Sequence, residues 1–149
     1  MKSKLLLRIS AGLSCFFAIG HTIGHFTRKD TTDPVKKSIL QQMDEHAFDY
    51  GGSLRSLSDN YEGMSLFLIT TLVLLTILLW QISSKIEENK SLYIPLLIPI
   101  MGCFYVFAVL STIYFFMVPA ITCFLTAILI SFICIRYYRQ QKITHLSIF

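Results

Sequence analysis

Three long stretches of this chain contain no Asp, Glu, Lys or Arg, and their lengths leave few folds open. They run from Ile9 to Thr27, from Gly63 to Ser84 and from Ser91 to Ile135. A helix rising 1.5 Å per residue needs ~20 mostly apolar residues to cross ~30 Å of hydrocarbon, so each of the first two fits one membrane span. The third is twice too long for a single crossing and must fold back. The turn is expected at Phe115-Phe116-Met117-Val118-Pro119, since proline suits the first position of a new helix and disfavours a helical residue before it. The expectation is an all-α, integral membrane four-helix up-down bundle, one domain over residues 1–149, with spans near 6–26, 62–83, 93–115 and 119–138. A cleaved leader ending at Ala18-Ile19-Gly20 would leave three spans, but the apolar run continues past that site.

Composition agrees. Hydrophobic residues make up 54% of the chain and charged residues 15%, against about 25% charged in soluble domains. The net charge of +4 does not indicate a nucleic-acid partner, because Lys and Arg stand at the ends of apolar runs instead of forming a stripe. They read as anchors in the lipid bilayer. Lys2, Lys4, Arg8, Lys85, Lys90, Arg136, Arg139 and Lys142 fall on one side of the four-span plan. Arg28, Lys29, Lys36, Lys37 and Arg55 fall on the other, diluted by acidic residues in the same loop. Positive residues near span ends stay inside, so both termini are expected in the cytoplasm of a bacterial cell, the protein lying in its cytoplasmic (inner) membrane. Trp80, Tyr93, Tyr137 and Tyr138 then lie at the inner interface and Tyr61 and Tyr114 at the outer one, where amphipathic rings settle.

The outer loop, residues 27–61, carries one amphipathic helix. Asp33 is its expected cap and Pro34 its first residue. Val35, Ile39, Met43 and Ala47 recur every four residues, with Gly51-Gly52 expected to stop the helix and Ser58 or Asp59 to cap the second span. Cys15, Cys103, Cys123 and Cys134 all lie within apolar runs, without metal-knuckle or secreted-disulfide spacing, and read as lipid-facing or core thiols.

Several elements occur together: His21-Thr22-Ile23-Gly24, Asp33-Pro34, Gly51-Gly52, Arg55-Ser56 and Asp59-Asn60-Tyr61-Glu62-Gly63. The set resembles a family of small bacterial four-span membrane proteins with a His-Thr-x-Gly element and a Gly-x-x-Arg-Ser…Asp-x-Tyr-x-Gly element. The likeness covers residues 5–80 in motifs and the last two spans in hydropathy alone. It implies the fold and no activity.

Ionisable residues at membrane depth are functional hypotheses by default, and His21 and His25 are two such residues in the first span. Four apart, they share one helix face, which Ser14 and Ala18 continue, while Gly20 and Gly24 on the adjoining face would permit close helix approach. A pair of imidazoles one turn apart suits zinc, copper or non-haem iron, with Asp59 and Glu62 as candidate carboxylate ligands and His46 and Cys123 as further candidates. The same outer pocket, with His21, His25, Arg55 and Tyr61, would alternatively hold a small lipophilic molecule such as a quinone. In a purely structural reading the histidines cap polar groups and Arg55 pairs with Asp59 and Glu62. A third possibility is an accessory or immunity-type protein acting through residues 28–61 on a membrane-protein partner or a second copy of itself. No nucleophile elbow, phosphate loop, zinc-protease motif or Cys-x-x-Cys is present.

Overall fold

A computed structural model describes residues 3–146. In chain order the elements are α1 (Ser3–Thr27), α2 (Pro34–Glu45), β1 (Ala47–Asp49), β2 (Leu54–Ser56), α3 (Leu57–Lys85), α4 (Lys90–Tyr114) and α5 (Met117–Leu146). The fold is helical apart from one short hairpin. Helices α1, α3, α4 and α5 are long and apolar enough to cross a membrane, as expected of a multi-pass membrane protein. The chain divides into two compact units, Ala18–Thr71 and the residues on either side of that segment.

The flanking unit holds the apolar core. Leu7, Leu79, Ile94, Leu97, Phe104 and Ile130 are wholly or almost wholly buried there. Ala108, Cys123 and Ala127, each fully buried, keep the helix surfaces narrow where they meet, and small residues are what allow apolar helices to approach when lipid is as oily as the partner. Hydroxyls add specific links. Tyr105 Oη lies 3.0 Å from Ser131 Oγ between α4 and α5. Ser14 donates to the Leu72 carbonyl at 3.3 Å, and the Thr76 hydroxyl lies 2.9 Å from Ser14 Oγ. The Arg8 guanidinium stands 5.1 Å from the centre of the Trp80 ring, a cation–π contact. Pro95 and Pro99 both lie inside α4, where each removes one backbone hydrogen bond.

In the Ala18–Thr71 unit, Asp33 caps α2 as its sequence indicates. Its carboxylate accepts from the amides of Val35 at 2.8 Å and Lys36 at 3.3 Å, with Pro34 in the first turn. Two expectations fail just beyond. The helix ends at Glu45, before Gly51-Gly52, and the chain pairs Ala47 with Ser56, Phe48 with Arg55 and Asp49 with Leu54 in an antiparallel hairpin. Gly51 and Gly52 form its turn, with φ of 64° and 89°. Glycine takes such φ at no steric cost, and a Gly-Gly pair between strands is a hairpin signal. Nor is α3 capped by Ser58 or Asp59 acting alone. Ser56 and Asp59 cap each other reciprocally: Ser56 Oγ accepts from the Asp59 amide at 3.0 Å, and Asp59 Oδ2 from the Ser56 amide at 2.9 Å. This is a capping box with Asp in place of Glu, and it starts α3 five residues before the expected span.

Other boundaries also move outward. α4 starts at Lys90, capped by Asn89, and α5 starts at Met117 and continues to Leu146. Pro119 is thus the third residue of α5 and not the first; its missing amide falls in the first turn, where no helical bond is made anyway. Gly20 and Gly24 do not seat a neighbouring helix, because a Cβ added at either would meet nothing within 4 Å.

Candidate functional site

Along α1 and just past it, Ala18, His21, His25 and Arg28 follow one another at intervals of three and four, as do Ser58, Glu62 and Ser65 on α3. Such spacing keeps a row of side chains on one face of a helix. Within the Ala18–Thr71 unit the two rows meet side by side.

Ser65 is the centre of the meeting. It is buried, and its Oγ lies 3.0 Å from His21 Nε2 and 2.9 Å from His25 Nδ1. When the hydroxyl donates to one imidazole and accepts from the other, both rings carry their proton on the same kind of nitrogen, Nδ1 in one arrangement and Nε2 in the other. His25 has no other hydrogen bond among the described residues, and its Nε2 remains available to a further partner.

Arg28 is the second node. Its Nη2 donates to Glu62 Oε1 at 2.6 Å and to Ser58 Oγ at 2.8 Å, and its guanidinium carbon stands 4.6 Å from the centre of the Tyr61 ring. With 11% of the side chain exposed, the charge is largely out of water, and carboxylate, hydroxyl and aromatic face together offset that desolvation. Nη1 is buried without a partner. Lys29 extends the network, 3.7 Å from Glu62 and 3.0 Å from both oxygens of Asp44 in α2. The Ser58 hydroxyl, and after it Lys29, hold the Asp44 carboxyl below its usual range.

The candidate metal ligands take separate places. His21 and His25 share Ser65. Glu62 is engaged by Arg28, and Asp59 caps α3 through Ser56. His46 Nδ1 lies 3.0 Å from the Gln42 carbonyl of its own helix, and Cys123 is sealed in the apolar core of the other unit. Among the described residues no three His, Cys, Asp or Glu side chains are grouped so as to hold a metal ion. Arg55 donates to the neighbouring Leu54 carbonyl at 3.1 Å and lines an open groove of about 320 Å³ with Asp59, Asn60 and Gly63. The ion pair of Glu62 is therefore with Arg28 and not, as helical spacing suggested, with Arg55, which lies in β2, outside the helix. Arg28, Ser58 and Ser65 are the residues that sequence reasoning did not assign to the site. Their signal was the three-four spacing on both helices, hidden because serine is common in apolar spans.

No family model, curated protein or solved structure matches the chain, so the resemblance carried by its His-Thr-x-Gly and Asp-x-Tyr-x-Gly elements rests on sequence alone.

Proposed function

We propose that this chain is a multi-pass protein of a bacterial cytoplasmic membrane whose outer-side polar site exchanges a proton with a small lipophilic ligand carrying a hydroxyl or carbonyl, such as a quinone. In this reading the four spans alternate in direction, both termini are cytoplasmic, and α2 lies outside. The Lys and Arg distribution supports that orientation.

One observation carries the chemistry, the Ser65 hydroxyl held between two imidazole nitrogens. Take the arrangement in which His25 Nδ1–H donates to Ser65 and Ser65 donates to His21. His25 Nε2 then carries a lone pair that accepts a proton from the ligand hydroxyl. As it does so, the Nδ1 proton of His25 passes to Ser65 Oγ and the serine proton passes to His21 Nε2. His25 ends neutral, protonated on Nε2, and His21 ends as the imidazolium, which returns to neutral by giving its Nδ1 proton to water. The serine regains what it gives. Arg28, with one guanidinium nitrogen buried and unpartnered, is a donor for the oxygen of such a head group.

The test is nitrogen NMR of the histidine side chains in detergent-solubilised protein. His21 and His25 should hold the same tautomer, switching together between Nδ1–H and Nε2–H, uncoupled by Ser65→Ala and recoupled by Ser65→Thr. Added decylubiquinone should shift the His25 Nε2 resonance. Two independent, static tautomers, or stoichiometric zinc bound to both rings, would overturn the reading.

A second reading has its own support. Val35, Ile39, Phe48, Tyr50 and Leu54 are all exposed in α2 and the hairpin, and such apolar exposure suits a membrane-protein partner or a second copy of this chain.

A further inference from the structure

The flanking unit contains a second cavity, half enclosed and about 300 Å³ in volume, remote in sequence from the histidines. Its rim comes from chain segments that are far apart: Ser3 at the start of α1, Lys90 at the start of α4, and Arg136, Tyr137 and Gln140 late in α5. Its floor includes Ile94 and Ile133, 1% and 2% exposed. Two cations, two hydroxyls and an amide thus converge on one recess. One carboxylate is also present: Glu87 lines the cavity and its Oε2 lies 3.1 Å from Lys90 Nζ. The two cations and this one acid give the recess a net formal charge of +1.

We propose that this cavity binds a phosphate group, Arg136 and Lys90 providing the charge and Tyr137, Gln140 and Ser3 the neutral hydrogen bonds. Guanidinium geometry matches paired phosphate oxygens, and charge-assisted bonds of this kind are about twice as strong as neutral ones. Lys and Arg at helix ends are ordinary membrane anchors. Here, however, they meet from different helices around a recess, and basic pockets between spanning helices are where lipid head groups lodge. The recess lies at the ends of helices long and apolar enough to cross a membrane, which favours an anionic phospholipid as the source of the phosphate; inorganic phosphate shares the head-group chemistry and is the other source.

The full-length protein, stripped of lipid in non-ionic detergent, is offered mixed phosphatidylglycerol and phosphatidylcholine, and retained lipid is read by native mass spectrometry. Wild type should retain phosphatidylglycerol selectively. Arg136→Gln should reduce retention about tenfold, equivalent to ~1.4 kcal/mol, and Lys90→Gln should reduce it less because a lysine offers a point charge where the guanidinium offers a paired fork. Lys85→Gln and Arg139→Gln, which remove cations outside the cavity, should leave it within about twofold, ~0.4 kcal/mol. Arg136→Lys, which keeps charge without the fork, gives an intermediate value and guards against a variant that fails to fold. Millimolar inorganic phosphate displacing the lipid and raising the melting temperature of wild type but not of Arg136→Gln would support the same site with a soluble source. Equal losses in all four glutamine variants would reveal general attraction to a basic surface and overturn the proposal, as would absence of both lipid selectivity and a phosphate effect.

Discussion

The two units are held together by opposite means. In the unit that flanks Ala18–Thr71, large apolar side chains such as Leu79, Leu97 and Phe104 are buried against small ones, and hydroxyl links are additions to a packed core. In the Ala18–Thr71 unit the buried residues are Ala18, Ser56, Ser58 and Ser65, and no residue belongs to the apolar core cluster. Its coherence comes from Arg28 with Glu62 and Ser58, from the imidazoles on Ser65, and from Lys29 with Asp44. Packing tolerates no void but is indifferent to pH, whereas a polar network is sensitive to every proton and every missing partner. A chain that gives one unit a buried polar network and the other an apolar core has separated two means of cohesion, one responsive to protons and the other to volume.

The contrast is broken most severely in the packed unit. Phe104→Ala should cost about 3–5 kcal/mol, the transfer term plus the cavity left behind, read as a lower midpoint of unfolding in detergent. A change below about 1 kcal/mol would mean that the apolar cluster is not what sustains that unit.

A smaller loss is expected in the polar unit. Arg28→Ala leaves Ser58 without its donor and the half-exposed Glu62 with only Lys29, 3.7 Å away, and should cost about 1–3 kcal/mol. The loss should appear as faster amide exchange over the first turns of α3, and Arg28→Lys should recover part of it, since a lysine keeps the charge but not the fork. Exchange unchanged in Arg28→Ala would show that the unit does not depend on this network.

The mildest effect is electrostatic. Because the Ser58 hydroxyl, and next Lys29, lower the Asp44 carboxyl, the folded protein binds that proton less readily than the unfolded chain. The stabilisation is then complete above the ordinary carboxylate pKa of about 3.9 and is lost as pH falls through the lowered folded value. Carbon NMR of the Asp44 carboxyl should therefore give a midpoint below the ordinary one, moved part of the way back by Lys29→Gln and further by Ser58→Ala. An ordinary midpoint in wild type would remove Asp44 from the network.

Where the chain was readable in advance, the reason was local. The four spanning lengths follow from runs without charge, and the cap at Asp33-Pro34 follows from two adjacent residues whose backbone preferences admit little else. Gly51-Gly52 was noticed but assigned to the wrong device: a helix stop and a hairpin turn both need positive φ, and only the pairing of Phe48 with Arg55 distinguishes them. The outward shift of the spans has a similar cause, since hydropathy marks the edge of the hydrocarbon and a helix continues past it until a cap or a turn intervenes.

The sequence by itself determined that this protein has four helices suited to a membrane, that His21 and His25 share one helix face, and that ionisable residues gather between residues 21 and 62. Tertiary structure decided which of them touch. Glu62 faced a choice of cations and took Arg28 over Arg55; two histidines that look like a metal pair converge on a serine; and Gly20 and Gly24 have no neighbour to seat. A helix repeats its directions every three to four residues, so spacing reveals which side chains lie on a common face. Which residue on another helix comes opposite depends on the offset between the two helices, and that offset is set by packing along their whole length, which no local pattern records.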